Sequence, residues 1–142
     1  MTCLPDANLW IALTVGQHVL HTPAKYWFES AANDTIAFCR VTQMGFLRLL
    51  TNPLVMQGDA LTAIQSWRVL RQLRANDQVI FAPEPSELDP AWQRMTAAHT
   101  TGANFWTDTY LAAFAETAGY TLVTFDRDFR KHKDLLVKFL GN

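Results

Sequence analysis

Short apolar runs alternate along the chain with longer stretches whose apolar residues recur every three or four positions. Cys3-Leu4-Pro5 is the first run, and its proline, which cannot donate to a ladder, keeps it short. Leu9, Trp10, Ile11 and Leu13 then predict a brief helix, which puts Asp6 at a strand-to-helix junction. Thr22 as cap and Pro23 at the first helical position predict a second helix, with Ala24, Trp27, Phe28 and Ala31 on one face. Residues 35–39 read as a buried strand. Thr42 is the expected cap of the next helix, whose apolar residues are Met44, Phe46, Leu47 and Leu50 and which Thr51-Asn52-Pro53 ends. Gly58-Asp59 opens a predicted long helix to about Ala75, with Leu61, Ile64, Trp67, Leu70 and Leu73 inward. Residues 79–82 form a short strand stopped by Pro83 and Pro85, and Asp89-Pro90 starts a helix expected to run to Gly102. Thr107 caps a further helix with Leu111, Phe114, Ala115 and Ala118 inward and Gly119 as its stop. Residues 121–124 are a strand, 126–132 a turn or helical piece, and 135–140 a last strand.

Strands alternating with amphipathic helices imply an α/β fold with a parallel sheet and right-handed crossovers. The 142 residues, uninterrupted by linker, repeat or low-complexity tract, fit a single domain, residues 1–142. Apolar residues at 49% and charged residues at 18% exclude wholesale disorder. No apolar run approaches the ~18–20 residues that span a bilayer. The opening MTCLPDANLW lacks the basic region of a secretory leader, and two cysteines make no disulfide framework. A cytoplasmic protein with reduced thiols is the expectation. The net charge of −1 gives no general pull toward polyanions, yet its signs come in blocks. Residues 36–75 carry five Arg against Asp59 alone, 76–126 carry Arg94 against seven acids, and 127–142 carry five bases against two acids.

In parallel sheets ligands bind beyond the carboxyl ends of the strands. Asp6 follows the first strand, Asp126 and Asp128 follow the strand at 121–124, and Asp108 stands in the first turn of the preceding helix. A fold that gathers these strand ends crowds several carboxylates into one cleft. Such charges repel unless they share protons or hold a cation. A hard divalent ion, Mg²⁺ or Mn²⁺, suits carboxylate oxygens and can activate water against a phosphodiester. Each acid also has a plainer reading: Asp108 as a partner of the helix dipole, Asp126 as an N-cap. Asp6 has none as ready, because it lies between apolar runs with no cation nearby.

Leu4-Pro5-Asp6-Ala7-Asn8-Leu9-Trp10-Ile11-Ala12-Leu13 resembles the opening of a PIN domain. Cys39-Arg40-Val41-Thr42-Gln43-Met44-Gly45-Phe46-Leu47-Arg48, followed by Thr51-Asn52-Pro53, resembles the VapC-type toxin branch of that family. Trp106-Thr107-Asp108-Thr109-Tyr110-Leu111-Ala112-Ala113 and Leu122-Val123-Thr124-Phe125-Asp126-Arg127-Asp128-Phe129 match its two downstream motifs, in family order. The resemblance implies a PIN-like fold with a parallel central sheet flanked by helices in three α/β/α layers. It also implies a metal-dependent endoribonuclease, a toxin held in check by a cognate antitoxin, and a homodimer. By motif, Asp6, Asp108 and Asp126 would be catalytic and bind the metal, with Asp128 a fourth ligand. Asn8 and Thr124 fall at supporting polar positions, and Arg48 at a basic one. In one place the chain departs from the pattern: many PIN domains carry a Glu about where Gly45 stands, and no carboxylate lies between Asp34 and Asp59. That implies one ion rather than two, or weaker binding.

RNA calls for cations at its phosphates and flat side chains for its bases. Arg127, Arg130, Lys131 and Lys133 follow Asp126 directly and are candidates to flank a scissile phosphate. Arg68, Arg71 and Arg74 form a ridge that reads as a solvated face or a seat for an acidic antitoxin segment. Trp27, Trp67 and Phe114 fall on core faces. Trp10 and Trp106 adjoin the acidic motifs, but core packing is the default for both. His18 and His21 lack further ligands, and His99 and His132 stand alone, so none is assigned to a metal. Two other classes remain to be weighed: a non-catalytic PIN-fold protein that binds RNA or a protein, which Gly45 favours, and a phospho-receiver domain. The receiver reading lacks the paired acid beside Asp6 that it needs.

Overall fold

Successive residues of a strand point to opposite faces, so a strand apolar on both faces needs a helical layer on each side. The computed structural model, which describes residues 1–99 and 101–141, meets that demand. Its strands are β1 (Thr2–Pro5), β2 (Thr35–Phe38), β3 (Val79–Phe81), β4 (Thr121–Thr124) and β5 (Val137–Phe139). They form one parallel sheet in the order β3-β2-β1-β4-β5. The helices are α1 (Ala7–Thr14), α2 (His21–Ser30), α3 (Arg40–Leu50), α4 (Ala63–Arg74), α5 (Leu88–Ala98) and α6 (Phe105–Ala118), with a short 3-10 helix at Arg127–Lys131.

Cys3, Ile36, Phe38 and Val123 project to one face and are buried with α1, α2, α3 and Leu70 of α4. Leu4, Ala37 and Leu122 project to the other, where α5, α6 and Phe129 cover them. The result is the three-layer α/β/α sandwich. The first core centres on Trp10, fully buried, its ring stacked on Phe38 with centroids 3.9 Å apart. The chain winds outward from β1 through β2 to β3, then crosses and resumes on the other flank with β4 and β5. The strand order therefore reverses between β1 and β4. That is the point where an open α/β sheet forms a crevice.

Several boundaries differ from expectation. Four helices start elsewhere because a different residue occupies the cap. Leu20, not Thr22, holds the N-cap position of α2. Cys39 holds that of α3, and Thr42 sits inside the first turn, where its hydroxyl accepts from the Cys39 N–H at 3.0 Å. The α4 helix begins at Ala63, five residues late, because Thr62 and Gln65 close a reciprocal capping box at 3.1 and 2.9 Å. Its buried stripe then runs through Ser66 and Leu70, leaving Ile64 67% and Trp67 45% exposed rather than inward. Asn104 precedes α6, with Thr107 inside its first turn, while Gly119 ends it at φ 71°, as a left-handed C-cap should. The helix at 88–98 starts one residue before Asp89-Pro90. Thr100, within its expected run to Gly102, lies outside the described residues.

Cys3 and Cys39 are both buried and free, but they do not face each other: Cys3 aligns with Ile36, and the two thiols belong to different cores. Among the described residues no helix is long and apolar enough to cross a membrane.

Removing the Trp10 ring leaves a void that the packed sheet cannot fill. Trp10→Ala should cost about 3–5 kcal/mol in urea unfolding, whereas a loss under 1 kcal/mol would show that the Trp10–Phe38 stack is dispensable.

Candidate active site

At the strand reversal the register sets Pro5 beside Val123, so the residues that follow, Asp6 and Thr124, become neighbours across the two strand ends. Asp6 is 7% exposed and does two jobs. Its Oδ1 accepts from the Leu9 N–H at 2.8 Å, capping α1, and its Oδ2 accepts from the Thr124 hydroxyl at 2.5 Å. The fully buried Thr124 in turn accepts from the Asp126 N–H at 2.9 Å. One hydroxyl thus ties the end of β1 to the loop after β4. Burial pushes the Asp6 carboxyl above its usual range and the charge of Asp126 adds to that, against the two hydrogen bonds that favour the anion.

Asp126 caps the 3-10 helix, its Oδ1 accepting from the Asp128 N–H at 2.9 Å, so the capping reading holds. It does not exclude the other, because Asp126 also lines a cavity of about 270 Å³ together with Asp6 and Asp108. Asp108 enters from the first turn of α6. Burial first, then the charges of Asp126 and Asp6, push its carboxyl up to about 6, with Asp128 adding and Lys131 opposing. Three of the four expected acids thus line one cavity. Asp128 is exposed, lies outside that lining and acts there only through its charge. Asn8 lines the cavity as expected. Asn104, Thr42 and Thr107 line it too: the two threonines were read from the sequence only as helix caps, and Asn104 was not singled out, although Asn before a helix is a usable signal.

The α3 helix contributes to the same cavity. A Cβ placed on Gly45 would come within 2.9 Å of the Ala7 Cβ, so the Ala7 methyl packs against the Gly45 backbone and a side chain at position 45 needs the two helices to shift. Arg48, one turn on, is exposed and is the cation lining this cavity among the described residues. The expected roles of Arg127 and Arg130 at a phosphate are not matched by where they lie. Arg127 donates to the carbonyl of Gly141 at 2.8 Å, and both guanidinium groups cover the Phe139 ring, at 5.1 and 5.4 Å, on the outer strand β5. Lys131 and Lys133 line a separate cavity with His99 and His132. Only the charge of Lys131 reaches Asp108. The two histidines, far apart in sequence, bring their rings within 4.7 Å.

An all-oxygen donor set with partly uncompensated charge has the chemistry that hard divalent ions select. The side chains stand spread around the cavity: among the described residues, no three His, Cys, Asp or Glu groups are drawn close enough to hold one ion together.

A parallel α/β/α sandwich whose carboxylates ring a cavity at the strand reversal defines the class of protein. The PIN domain family model matches residues 3–135, and the chain belongs to that family. It is 34% identical over 143 residues to Ribonuclease VapC41 of Mycobacterium tuberculosis, covering 97% of this chain and 98% of that one. In fold it is similar to VapBC2 from Rickettsia felis, solved bound to a DNA fragment from their promoter (TM-score 0.74, 14% identity, 99% and 100% of the two chains). It is also similar to VapC20 of Mycobacterium tuberculosis, described as a sarcin-ricin loop cleaving toxin (TM-score 0.68, 18% identity, 92% and 95%).

Two outcomes follow from this geometry. Asp108 releases its proton near pH 6 when folded and near 3.8 when unfolded, so folding loses stability as pH rises through that window. Asp108→Asn should therefore stabilise the metal-free protein above pH 6 by roughly 1–2 kcal/mol after solvent screening, with no gain below pH 4; a pH-independent difference in urea unfolding would refute the raised carboxyl. In α3, Gly45→Ala should destabilise by about 1–2 kcal/mol despite better helix propensity. Adding Ala7→Gly should recover the overpacking loss, and no recovery would place the strain elsewhere.

Proposed function

We propose that this chain is a divalent-metal-dependent endoribonuclease, the toxin of a toxin–antitoxin pair. The observation that carries the reading is the joint placement of Asp6, Asp108 and Asp126 around one cavity at the strand reversal, with Asp108 raised to about 6 by burial and its two neighbours. Similarity to Ribonuclease VapC41 over nearly the whole of both chains supports RNA as the substrate class.

Asp6, Asp108 and Asp126, spread around the cavity, would draw together on the ion, with Asp128 adding negative charge from outside. Mg²⁺ or Mn²⁺ bound there supplies a polarised water and offsets charge on the phosphate. The protein does the rest. The Thr124 hydroxyl fixes the Asp6 oxygen that faces β4, and through the Asp126 N–H it fixes the loop that carries the third acid. Arg48 lines the same cavity and would take a phosphate oxygen. Asn8, Asn104 and Thr107 offer amide and hydroxyl groups to the ribose and phosphate on either side. With Gly45 leaving the α3 wall free of carboxylate, the donor set suits one ion rather than two. A protein antitoxin as partner, a homodimer and a cytoplasmic setting complete the reading, on the strength of family membership.

Asp126→Asn and Asp108→Asn should fold and lose RNA cleavage by at least about 100-fold. EDTA should stop the wild type, and added Mn²⁺ should restore it. Undiminished cleavage by both variants would overturn the assignment. The Gly45 wall and the spread of the acids favour one second reading, a PIN-fold protein that binds RNA without cutting it. RNA retention with no Mg²⁺ or Mn²⁺ uptake at millimolar concentration would select it.

A further inference from the structure

Large aromatic rings are expensive to leave in water, and this chain buries Trp10 and Trp27 almost completely. Trp106 is the exception beside the acidic cavity: it is 63% exposed. Its place in α6 is one residue before Thr107 and two before Asp108, both of which line the cavity, and two after Asn104, which lines it as well. Helix geometry puts the Trp106 and Asp108 Cα atoms about 5–6 Å apart, with the ring on the flank of α6 turned from the carboxylates.

The ring is exposed but not loose. It stands perpendicular to buried Phe105, centroids 5.3 Å apart at 83°, and to Trp92 at 6.0 Å and 87°. Trp92 is itself pinned: its indole N–H donates to the Thr109 hydroxyl at 3.0 Å, and its ring lies perpendicular to Tyr110 at 5.2 Å. Two neighbouring rings thus limit the tilt of the Trp106 indole while most of the residue stays open to solvent. Its exposed sequence neighbours Thr101, Gly102, Asn104 and Thr107 add polar groups and no large apolar side chain. A fixed, flat ring among such neighbours suits a single planar group better than the apolar face of a protein partner.

We propose that Trp106 is a stacking platform for one unpaired nucleobase of the RNA, adjacent to the nucleotide whose phosphate enters the carboxylate cavity. This rests on the ribonuclease reading and deepens it by naming a side chain outside the carboxylate cavity that positions the strand. With the base of a flanking nucleotide stacked on Trp106, the strand continues past Asn104 and Thr107 into the cavity toward Arg48. Every base has a π-face, so the platform orders the strand without choosing its sequence.

The test compares wild type, Trp106→Ala and Trp106→Phe as full-length proteins on a single-stranded oligoribonucleotide and on the same strand annealed to its complement. Trp106→Ala should raise KM for the single strand by about 5- to 150-fold, with kcat within about threefold, an unchanged melting temperature and unchanged Mn²⁺ affinity. Trp106→Phe should keep most of the affinity. In EDTA, where no strand is cut, oligonucleotide binding should quench wild-type tryptophan fluorescence, and Trp106→Phe should remove that component. The duplex should be a poor substrate for all three. A folded Trp106→Ala protein with wild-type KM would overturn the platform, as would normal RNA kinetics combined with lost binding of a co-expressed antitoxin. Failure of the wild type to cleave or bind any RNA would instead overturn the ribonuclease reading on which the platform depends.

Discussion

The Thr124 hydroxyl is the hinge-pin of this site. It donates to Asp6 and accepts from the Asp126 N–H, and it does so fully buried, where each bond counts for more than in water. The register of β1 with β4 delivers the two partners, and the buried alternation of both strands fixes that register. A one-residue slip would turn Leu4 and Leu122 into the wrong layer and separate the carboxylates in the same step. The chemistry is thus positioned by the hydrophobic pattern of the sheet, with Thr124 as the last link between core and cavity.

Charge is distributed with a similar economy. Two of the bases that follow Asp126, Arg127 and Arg130, cover Phe139 on one outer strand, and Arg40 and Arg74 cover Phe81 on the other at 4.7 and 5.5 Å. Each edge of the sheet therefore carries an aromatic ring flanked by two guanidinium groups. Positive charge at a sheet edge discourages pairing with another chain. The basic blocks seen along the sequence divide accordingly: part guards the edges, and Arg48 alone among the described cations reaches the cavity wall.

Much of this was legible before any coordinates. Alternating strands and helices gave the parallel sandwich, and the strand-end rule directed attention to Asp6, Asp108 and Asp126, which do share a cavity. The failures have common physical causes. Helix starts at Thr22, Thr42 and Thr107 were misplaced because a threonine can serve inside a first turn as well as before it. Ile64 and Trp67 came out exposed because the Thr62–Gln65 box moved the start of α4 and left its inner stripe on Ser66 and Leu70. Arg127 and Arg130 were assigned to phosphate by proximity in sequence, but a 3-10 turn after Asp126 sends their side chains to β5. Trp106 ran against the core default because it lies on the outward side of α6, whose buried side carries Phe105 and Thr109, whereas Trp10 lies on the side of α1 that meets the sheet.

The contact between Gly45 and Ala7 bears on how such sites diverge. A carboxylate at position 45 needs room that a smaller residue at position 7 or a wider crossing of α1 and α3 can give, and a glycine in place of Ala7 weakens the start of α1. The number of acids this cavity can carry is therefore coupled to how closely two helices approach, so that charge at the site and packing beneath it cannot be varied independently.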